Sequence, residues 1–346
     1  MHKGSPVPKL QSIARISLRF FAALLGLGLL TYLVFRTGPG VIWNRVQTVG
    51  WGLILVIILG GFSQLIRTCA WRQALTCDTR RLSWSRSFGA QLASDAIGQL
   101  GFAGKLVGEG IKVSLLSPAV PLTSGISSCA IDGGMHLLTA SVVAVLGVII
   151  ALLHFPLTGQ WRLYALLLAA LLIALVVLAA VAVASRWRLM GNAARAIGRL
   201  PQLHNWIIGK EPIIDSAEHS LLTFRTEAPA AFWASLIFSL FWHALAVLEV
   251  YLILLLMRTR IALVGAFAME GLTKVINLVG ALNPGNLGTY EGGNMLIANM
   301  FGVTATAGLT LALCRRARTI FWAIVGAVCM ILMKKTNDGD YHVQED

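Results

Sequence analysis

Long apolar stretches separated by short polar segments run along most of the chain. Six of them approach or exceed the roughly 20 residues that a helix needs to cross a bilayer. They cover residues 20–35, 51–66, 122–155, 163–185, 230–257 and 303–333. This pattern predicts an all-α polytopic membrane protein with about six full spans.

Two further apolar stretches, residues 88–116 and 261–301, are interrupted in ways that a simple span is not. The first contains acidic and basic residues among several glycines. The second contains the run Asn-Pro-Gly-Asn-Leu-Gly-Thr-Tyr-Glu-Gly-Gly, which begins at Asn283. Helix breakers at membrane depth free backbone groups that lipid cannot satisfy, so such segments must be buried in protein or line a wet cavity. We therefore expect two re-entrant or broken helical segments.

The two interrupted segments resemble each other. In both, a Gly-Ala pair is followed by an acid, Asp95 in the first and Glu270 in the second, and a glycine-rich run follows at residues 104–110 and 285–292. One span precedes and one follows each segment, and the two units enter the membrane from opposite sides. Paired interrupted segments in opposed halves indicate a transporter site at the repeat interface. The predicted architecture is an inverted repeat.

The domain organisation follows from these units. We predict a single membrane domain over residues 1–333, with its first half at about 50–155 and its second half at about 230–333. A span and a cytoplasmic loop fill residues 161–229, and a short acidic tail over residues 334–346 is predicted to be disordered.

The distribution of arginine predicts the orientation. Basic residues concentrate in the long polar loop over residues 186–229, and such loops stay on the cytoplasmic side. With this loop inside, both termini are also cytoplasmic. We expect an integral protein of the bacterial cytoplasmic (inner) membrane.

Composition narrows the class further. Only 12% of the residues are charged, against about 25% in soluble domains, and the mean hydropathy is +0.75. The net charge of +13 fits basic loops facing anionic lipid headgroups, and its spread over many loops disfavours nucleic acid as a partner. The five cysteines show no Cys-x-x-Cys spacing, so we expect no disulfide, no metal and no cofactor.

Carboxylates beside glycines are the first candidate site residues. Glu109 and Glu291 each lie in an interrupted segment. Each could line a cavity as a partner for a proton or a lipid headgroup, or could cap a re-entrant helix, which a carboxylate near a helix N-terminus does well.

Three arginines, Arg315, Arg316 and Arg318, interrupt the last apolar run. The planar guanidinium suits phosphate, and pairing with Asp132 is the alternative. Because three arginines within four residues point around much of a helix, we expect one or two to face a cavity and one to pair with a carboxylate.

Two further pairs are four residues apart and so share a helix face. Asp132 and His136 lack the further ligands that a metal site needs, so pairing of Asp132 with an arginine is the better interpretation. Glu270 and Lys274 are expected to form an ion pair with each other.

Several of these motifs together resemble a known family. They are Trp71-Arg72, Gly108-Glu109-Gly110, Asp132, the Asn-Pro-Gly-x-Leu-Gly-x-x-Glu-Gly-Gly run from Asn283, and the Arg-Arg-x-Arg run from Arg315. Over residues 50–333 the chain resembles the lysylphosphatidylglycerol synthase transmembrane-region family, and within it the hopanoid-biosynthesis-associated membrane proteins. Full-length members join a flippase-like membrane domain to a soluble aminoacyl-transferase domain.

The resemblance implies the lipid-translocating module but not lipid aminoacylation, because no second domain is expected here. Lys105 and Asn283 flank its motifs and join the candidate substrate-binding residues, although both depart from the usual pattern and leave the substrate open.

Three functions are compatible with these observations. The first is a flippase or transporter for a polar or anionic lipid, such as a phospholipid or a polyprenyl- or hopanoid-linked lipid. The second is a membrane-embedded transferase that uses Glu109, Glu291 or Asp132 as a base. The third is a non-catalytic assembly partner of lipid-synthesis enzymes, and a homo-oligomer is possible. The chain contains no His-Glu-x-x-His, Gly-x-Ser-x-Gly or P-loop motif, so we expect a protein that is not an enzyme.

Overall fold

The computed structural model describes residue 35 and residues 39–75, 82–99, 102–116, 119–155, 159–185, 187–198 and 211–342. Apart from Phe35, the predicted first span over residues 20–35 lies outside these ranges, and so does Cys77. The described regular structure is helical throughout. Its α-helices are α1 (Pro39–Val49), α2 (Gly52–Ala74), α3 (Trp84–Gly98), α4 (Phe102–Leu116), α5 (Leu122–His154), α6 (Gln160–Ala184), α7 (Leu189–Gly198), α8 (Glu211–Glu227), α9 (Pro229–Leu256), α10 (Leu263–Val279), α11 (Thr289–Met300) and α12 (Ala305–His342).

Five of these helices have stretches long and apolar enough to cross a membrane. They are α2, α5, α9, the Arg162–Val181 part of α6 and the Ala305–Met333 part of α12, with mean hydropathies from 1.6 to 3.0. They coincide with the five predicted spans that fall within the described residues. The all-α polytopic architecture is confirmed.

Two helical hairpins stand where the interrupted segments were predicted. Helices α3 and α4 have 15 residues each, and α10 and α11 have 17 and 12. All four are shorter than the roughly 20 residues that span a bilayer. Each pair packs against itself, as re-entrant segments require.

The break between α10 and α11 follows from the local sequence. Two 3₁₀ turns, Gly280–Leu282 and Pro284–Asn286, connect the helices. Gly285 and Gly288 have φ angles of +64° and +73°, a left-handed conformation that a residue without a Cβ adopts at little cost. These turns therefore end α10 and allow α11 to pack back against it.

The helices pack as two equivalent units, α2–α5 and α9–α12. Helix α2 packs against α9, while the first hairpin helix of each unit, α3 or α10, packs against the last helix of the other, α12 or α5. This crosswise exchange is the pattern that a two-fold axis between repeats produces. A continuous apolar core joins α5, α9, α10 and α12.

Glycines allow the helices to approach closely where α5 crosses α10 and where α3 crosses α12. Gly147 on α5 faces Gly271 on α10, and a Cβ on either one would press on the backbone of the other. At the equivalent crossing, a Cβ on Gly326 of α12 would overlap the carbonyl of Leu92 on α3. Small residues at helix contacts are how membrane helices approach closely.

Two of the remaining elements lie in the predicted cytoplasmic loop and in the predicted tail. Helix α8 falls within the predicted cytoplasmic loop and packs on α5, with Ala217 and Phe224 buried. Helix α12 continues to His342, although we predicted a disordered tail from residue 334. The segment contains no proline, and a nucleated helix extends by gaining one hydrogen bond for each residue added.

Candidate functional site

A polar cavity of about 260 Å³ lies where the two units meet. Side chains from α2, α9, α10, α11 and α12 line it, together with the end of α3 and the turn before α11. They are Ser63, Gln99, Trp242, Ala246, Glu270, Lys274, Asn277, Gly285, Asn286, Tyr290, Arg315, Arg316, Arg318 and Thr319. The position agrees with the general expectation that transporter sites form between repeats.

A chain of ion pairs forms one wall of this cavity. Glu249 on α9 lies 3.2 Å from Arg318 Nε and accepts a hydrogen bond from Arg315 Nε at 3.0 Å. Arg315 Nη1 donates to Glu270 at 2.8 Å, and the other oxygen of Glu270 lies 2.6 Å from Lys274 Nζ. Glu249 and Glu270 are each 1% exposed. We call these five residues the ion chain.

The ion chain carries an excess of positive charge. It joins three cations to two carboxylates, so its net charge is +1. Burying charge is unfavourable unless it is paired, and the unmatched charge lies beside a cavity. A monoanion in the cavity would balance it.

Arg316 forms a separate, neutral pair. Its Nε donates to Glu291 Oε1 at 2.6 Å, and its Nη1 donates to the Gly285 carbonyl at 3.3 Å. The second Glu291 oxygen accepts from the Gly288 amide at 2.7 Å and so caps the start of α11. Of the two roles expected for Glu291, the structure thus displays the capping contact.

The three arginines differ in how fully their donors are used. Arg315 bonds two carboxylates and the Tyr290 hydroxyl, and Arg316 bonds Glu291 and a backbone carbonyl. Arg318 contacts Glu249 through Nε and Thr319 through Nη2, and its Nη1 makes no hydrogen bond to the described residues. The ends of the ion chain, Arg318 and Lys274, are therefore best placed to contact a ligand. None of these arginines pairs with Asp132 within the described contacts.

Two candidates from the glycine-rich segments do not line the cavity. The Asn283 amide donates to the Leu287 carbonyl at 2.6 Å and to Thr289 Oγ1 at 3.3 Å, which shapes the turn. The neighbouring Asn286 lines the cavity instead, bonded to Asn277 at 3.0 Å. Lys105 is exposed on α4, in the other unit.

A second group of charges lies in the first unit. Arg67 pairs with Asp95 at 2.9 Å, and Glu109 pairs with the buried Lys112 at 2.6 Å. Asp132 is 6% exposed and interacts electrostatically with Lys112 and Arg67. Neither Glu109 nor Glu291 is therefore among the residues that line the cavity.

The two groups occupy equivalent places with opposite charges. Arg67 and Glu249 each lie seven residues before the last residue of their helix. Asp132 and Arg315 each lie ten residues after the first residue of their helices.

Among the described residues, no group of three or more His, Cys, Asp or Glu side chains could hold a metal ion.

Glu249 is the main site residue that the sequence analysis missed. It is the only acid in the 28-residue apolar helix α9. An ionisable residue in a membrane span is itself a sign of function or of a buried partner, so the signal was present in the sequence. Trp242 and Tyr290 were missed for a different reason, since aromatic residues in apolar helices are common.

An apolar groove of about 430 Å³ continues from the polar cavity. The groove lies between α3 and α12, and the two spaces share Gln99, Gly285, Arg316 and Thr319. Its other lining residues are Ala96, Ile97, Ile320, Ala323, Ile324, Ala327 and Met330. A polar cavity joined to an apolar groove has the polarity of a lipid, with its headgroup and its chain.

Comparison with known proteins supports this interpretation. The model of the family described as lysylphosphatidylglycerol synthase TM region matches residues 19–326. No curated protein and no solved structure matches the chain. Because the family match spans most of the 346 residues, the chain is an integral membrane protein of the lysylphosphatidylglycerol synthase transmembrane-region family, with a function related to membrane lipids.

Proposed function

We propose that this protein moves a polar or anionic lipid across the membrane, with the lipid headgroup bound in the cavity between the two units. The observation that carries the proposal is the net charge of +1 on the ion chain beside a cavity of about 260 Å³. We place the protein in the bacterial cytoplasmic membrane with both termini inside, from the arginine distribution.

The chemistry of the wall favours a phosphate diester. Such a group carries one negative charge, which matches the single excess positive charge. Arg318 offers an unused Nη1 donor and Lys274 offers an ammonium group from the opposite end of the ion chain. Guanidinium and ammonium groups both bind phosphate oxygens well. Diacylglycerol phospholipids with an esterified headgroup, and polyprenyl lipids whose phosphate is also esterified to a sugar, both meet this description.

The groove can hold the apolar chain of the lipid. A headgroup in the polar cavity leaves its chain beside Thr319, where the groove between α3 and α12 begins. The chain can remain in an apolar setting while the headgroup is held by protein, which removes much of the cost of taking a polar group through hydrocarbon.

The proposal involves no chemical step, so we propose a transporter that is not an enzyme. Each carboxylate of the cavity region, Glu249, Glu270 or Glu291, lies against at least one cation. A general base must be free to take a proton, and a carboxylate held by an arginine is a poor one. This arrangement counts against Glu291 as the base of the transferase alternative, and the pairing of Glu109 with Lys112 counts against Glu109 in the same way.

Reconstitution tests the proposal. Full-length protein in liposomes containing trace fluorescent phosphatidylglycerol should expose the inner-leaflet label to an external, membrane-impermeant reductant. Arg318→Gln should lose most of this activity, because it removes the charge that makes the ion chain net positive. Arg225→Gln, on an exposed position of α8, is the matched control and should keep it. Equal translocation by wild type and Arg318→Gln would refute anion recognition by the ion chain.

A further inference from the structure

A cluster of rings lies directly behind the cavity wall. The ring of Trp242, which lines the cavity, is 4.8 Å from the ring of His243 and 5.1 Å from that of His136. The two imidazoles are 5.5 Å apart, and the Lys274 ammonium lies 4.9 Å from the Trp242 ring. One aromatic ring therefore separates a ligand in the cavity from two histidines.

The hydrogen bonds of Thr139 favour one tautomer of His243. Thr139 Oγ1 lies 2.9 Å from the Met135 carbonyl and 3.1 Å from the His136 carbonyl, and a hydroxyl can only donate to such oxygens. When the single hydroxyl hydrogen is donated to a carbonyl, His243 Nε2, 3.1 Å from the same Oγ1, is the donor in their contact, and we assign the tautomer accordingly.

His243 Nδ1 consequently carries a free lone pair. This atom is buried and has no hydrogen-bond partner within the part of the chain that the structure describes, and the whole residue is 1% exposed. A buried polar atom without a partner is uncommon and calls for a role. A basic imidazole nitrogen in this position is a proton acceptor that the resting protein leaves unused.

Burial and nearby charges act on this histidine pair. Burial opposes a proton on His243, Lys274 on α10 opposes it as well, and Glu270 on α10 favours it. His136 is also buried and faces the positive charges of Arg67 on α2, Lys105 on α4 and Lys274. Asp132 on α5 and Arg315 on α12 are further charged groups on helices that pack against α9.

We propose that His243 Nδ1 is a proton-binding site that fills when an anion occupies the cavity. The anion offsets the positive charge of Lys274, which together with burial otherwise opposes protonation of the imidazole behind Trp242. This inference rests on the proposed function, because it assigns the anion to the cavity. Binding that is coupled in this way is reciprocal, so the proton also strengthens anion binding.

Calorimetry of the full chain in detergent micelles tests the proposal with dioctanoyl phosphatidylglycerol as the probe. Its phosphate diester stays ionised throughout the pH range used, so any proton exchanged belongs to the protein. Titrations at one pH in two buffers of different ionisation enthalpy give the number of protons taken up. We expect net uptake with wild type, and an affinity that rises by up to about tenfold for each pH unit lowered.

Three variants identify the residue that takes up the proton. His243→Gln should show no proton uptake, whatever affinity remains. His219→Gln, at a side chain 70% exposed on α8, should behave as wild type. Proton uptake that persists in His243→Gln would overturn the assignment. If the uptake were instead lost in His136→Gln, the proton would belong to His136.

The wild-type measurement alone separates the two proposals. Probe binding without proton uptake overturns the histidine site and leaves the lipid function standing. Failure of the probe to bind at any pH overturns the proposed function, and the proton site with it.

Discussion

Replacing Glu249 by leucine removes the carboxylate that contacts both Arg315 and Arg318. Glu249 is 1% exposed, and its oxygens lie 3.0 Å from Arg315 Nε and 3.2 Å from Arg318 Nε. After the change Arg315 keeps Glu270, whereas Arg318 loses its acidic partner. The net charge of the remaining group rises from +1 to +2, which places a second uncompensated charge beside the cavity.

The expected magnitude follows from the burial of the pair. Removing one partner of a buried ion pair costs about 3–5 kcal/mol of unfolding free energy. The Arg318 side chain is 23% exposed and Arg315 retains one acid, so we expect the lower end of that range, about 3 kcal/mol. Glu249→Gln keeps an acceptor oxygen and should cost about 1–2 kcal/mol.

A double-mutant cycle checks the explanation by equilibrium unfolding in mixed micelles. Combining Glu249→Leu with Arg318→Leu removes the stranded cation together with the acid. The pair should therefore cost less than the sum of the single changes, by about 1–3 kcal/mol. Combination of Glu249→Leu with Arg225→Leu is the matched control and should be additive.

Either of two results would contradict a stabilising role for Glu249 in the cavity wall. A loss below about 0.5 kcal/mol for Glu249→Leu would mean that the contacts do not hold the wall together. Additivity of the changes at 249 and 318 within about 0.5 kcal/mol would mean that the two side chains are not energetically coupled.

Three further predictions address the cavity, the orientation and the helix crossings. In a cysteine-free background, Thr319→Cys should react with a small polar thiol reagent because Thr319 lines the cavity, whereas Ser235→Cys, fully buried in α9, should not; protection of both would mean a dry cavity. Cysteines at the exposed positions Asn192 and Gln160 should react with an impermeant reagent from opposite sides of the membrane, and labelling from one side would contradict the predicted topology. Gly326→Val should lower the unfolding free energy by about 1–3 kcal/mol, since its side chain meets the Leu92 carbonyl, and unchanged stability would show that α12 can shift away from α3.

Much of the fold could be predicted from residue type alone. Runs of apolar residues indicate directly which helices can face lipid. Helix α6 is a clear case, because only 11% of its spanning window is buried inside the protein. The break between α10 and α11 was also predictable, since Pro284 and the positive-φ glycines at 285 and 288 end one helix and start another. These are local effects, and local sequence determines them.

The partners of the site residues could not be predicted in the same way. Arg315 was expected to face a ligand or to pair with Asp132, yet it pairs with residues 45 and 66 positions earlier, Glu270 and Glu249. Which acid an arginine meets depends on how α9, α10 and α12 cross. The partner of Asn283 could not be predicted either, although it is close in sequence. Its side-chain amide donates a hydrogen bond within the turn that Asn283 begins.

Opposite charges at equivalent positions explain why the repeat is faint in the sequence. Arg67 in the first unit corresponds by place to Glu249 in the second, and Asp132 corresponds to Arg315. A comparison of residue types scores each such pair as a mismatch, although each pair places a charge at the same position along its helix. What the two units share is the order of long and short helices, and the crossings that Gly271 and Gly326 permit. The two units therefore share their packing but differ in their charges, and the excess positive charge beside the cavity comes from residues of the second unit.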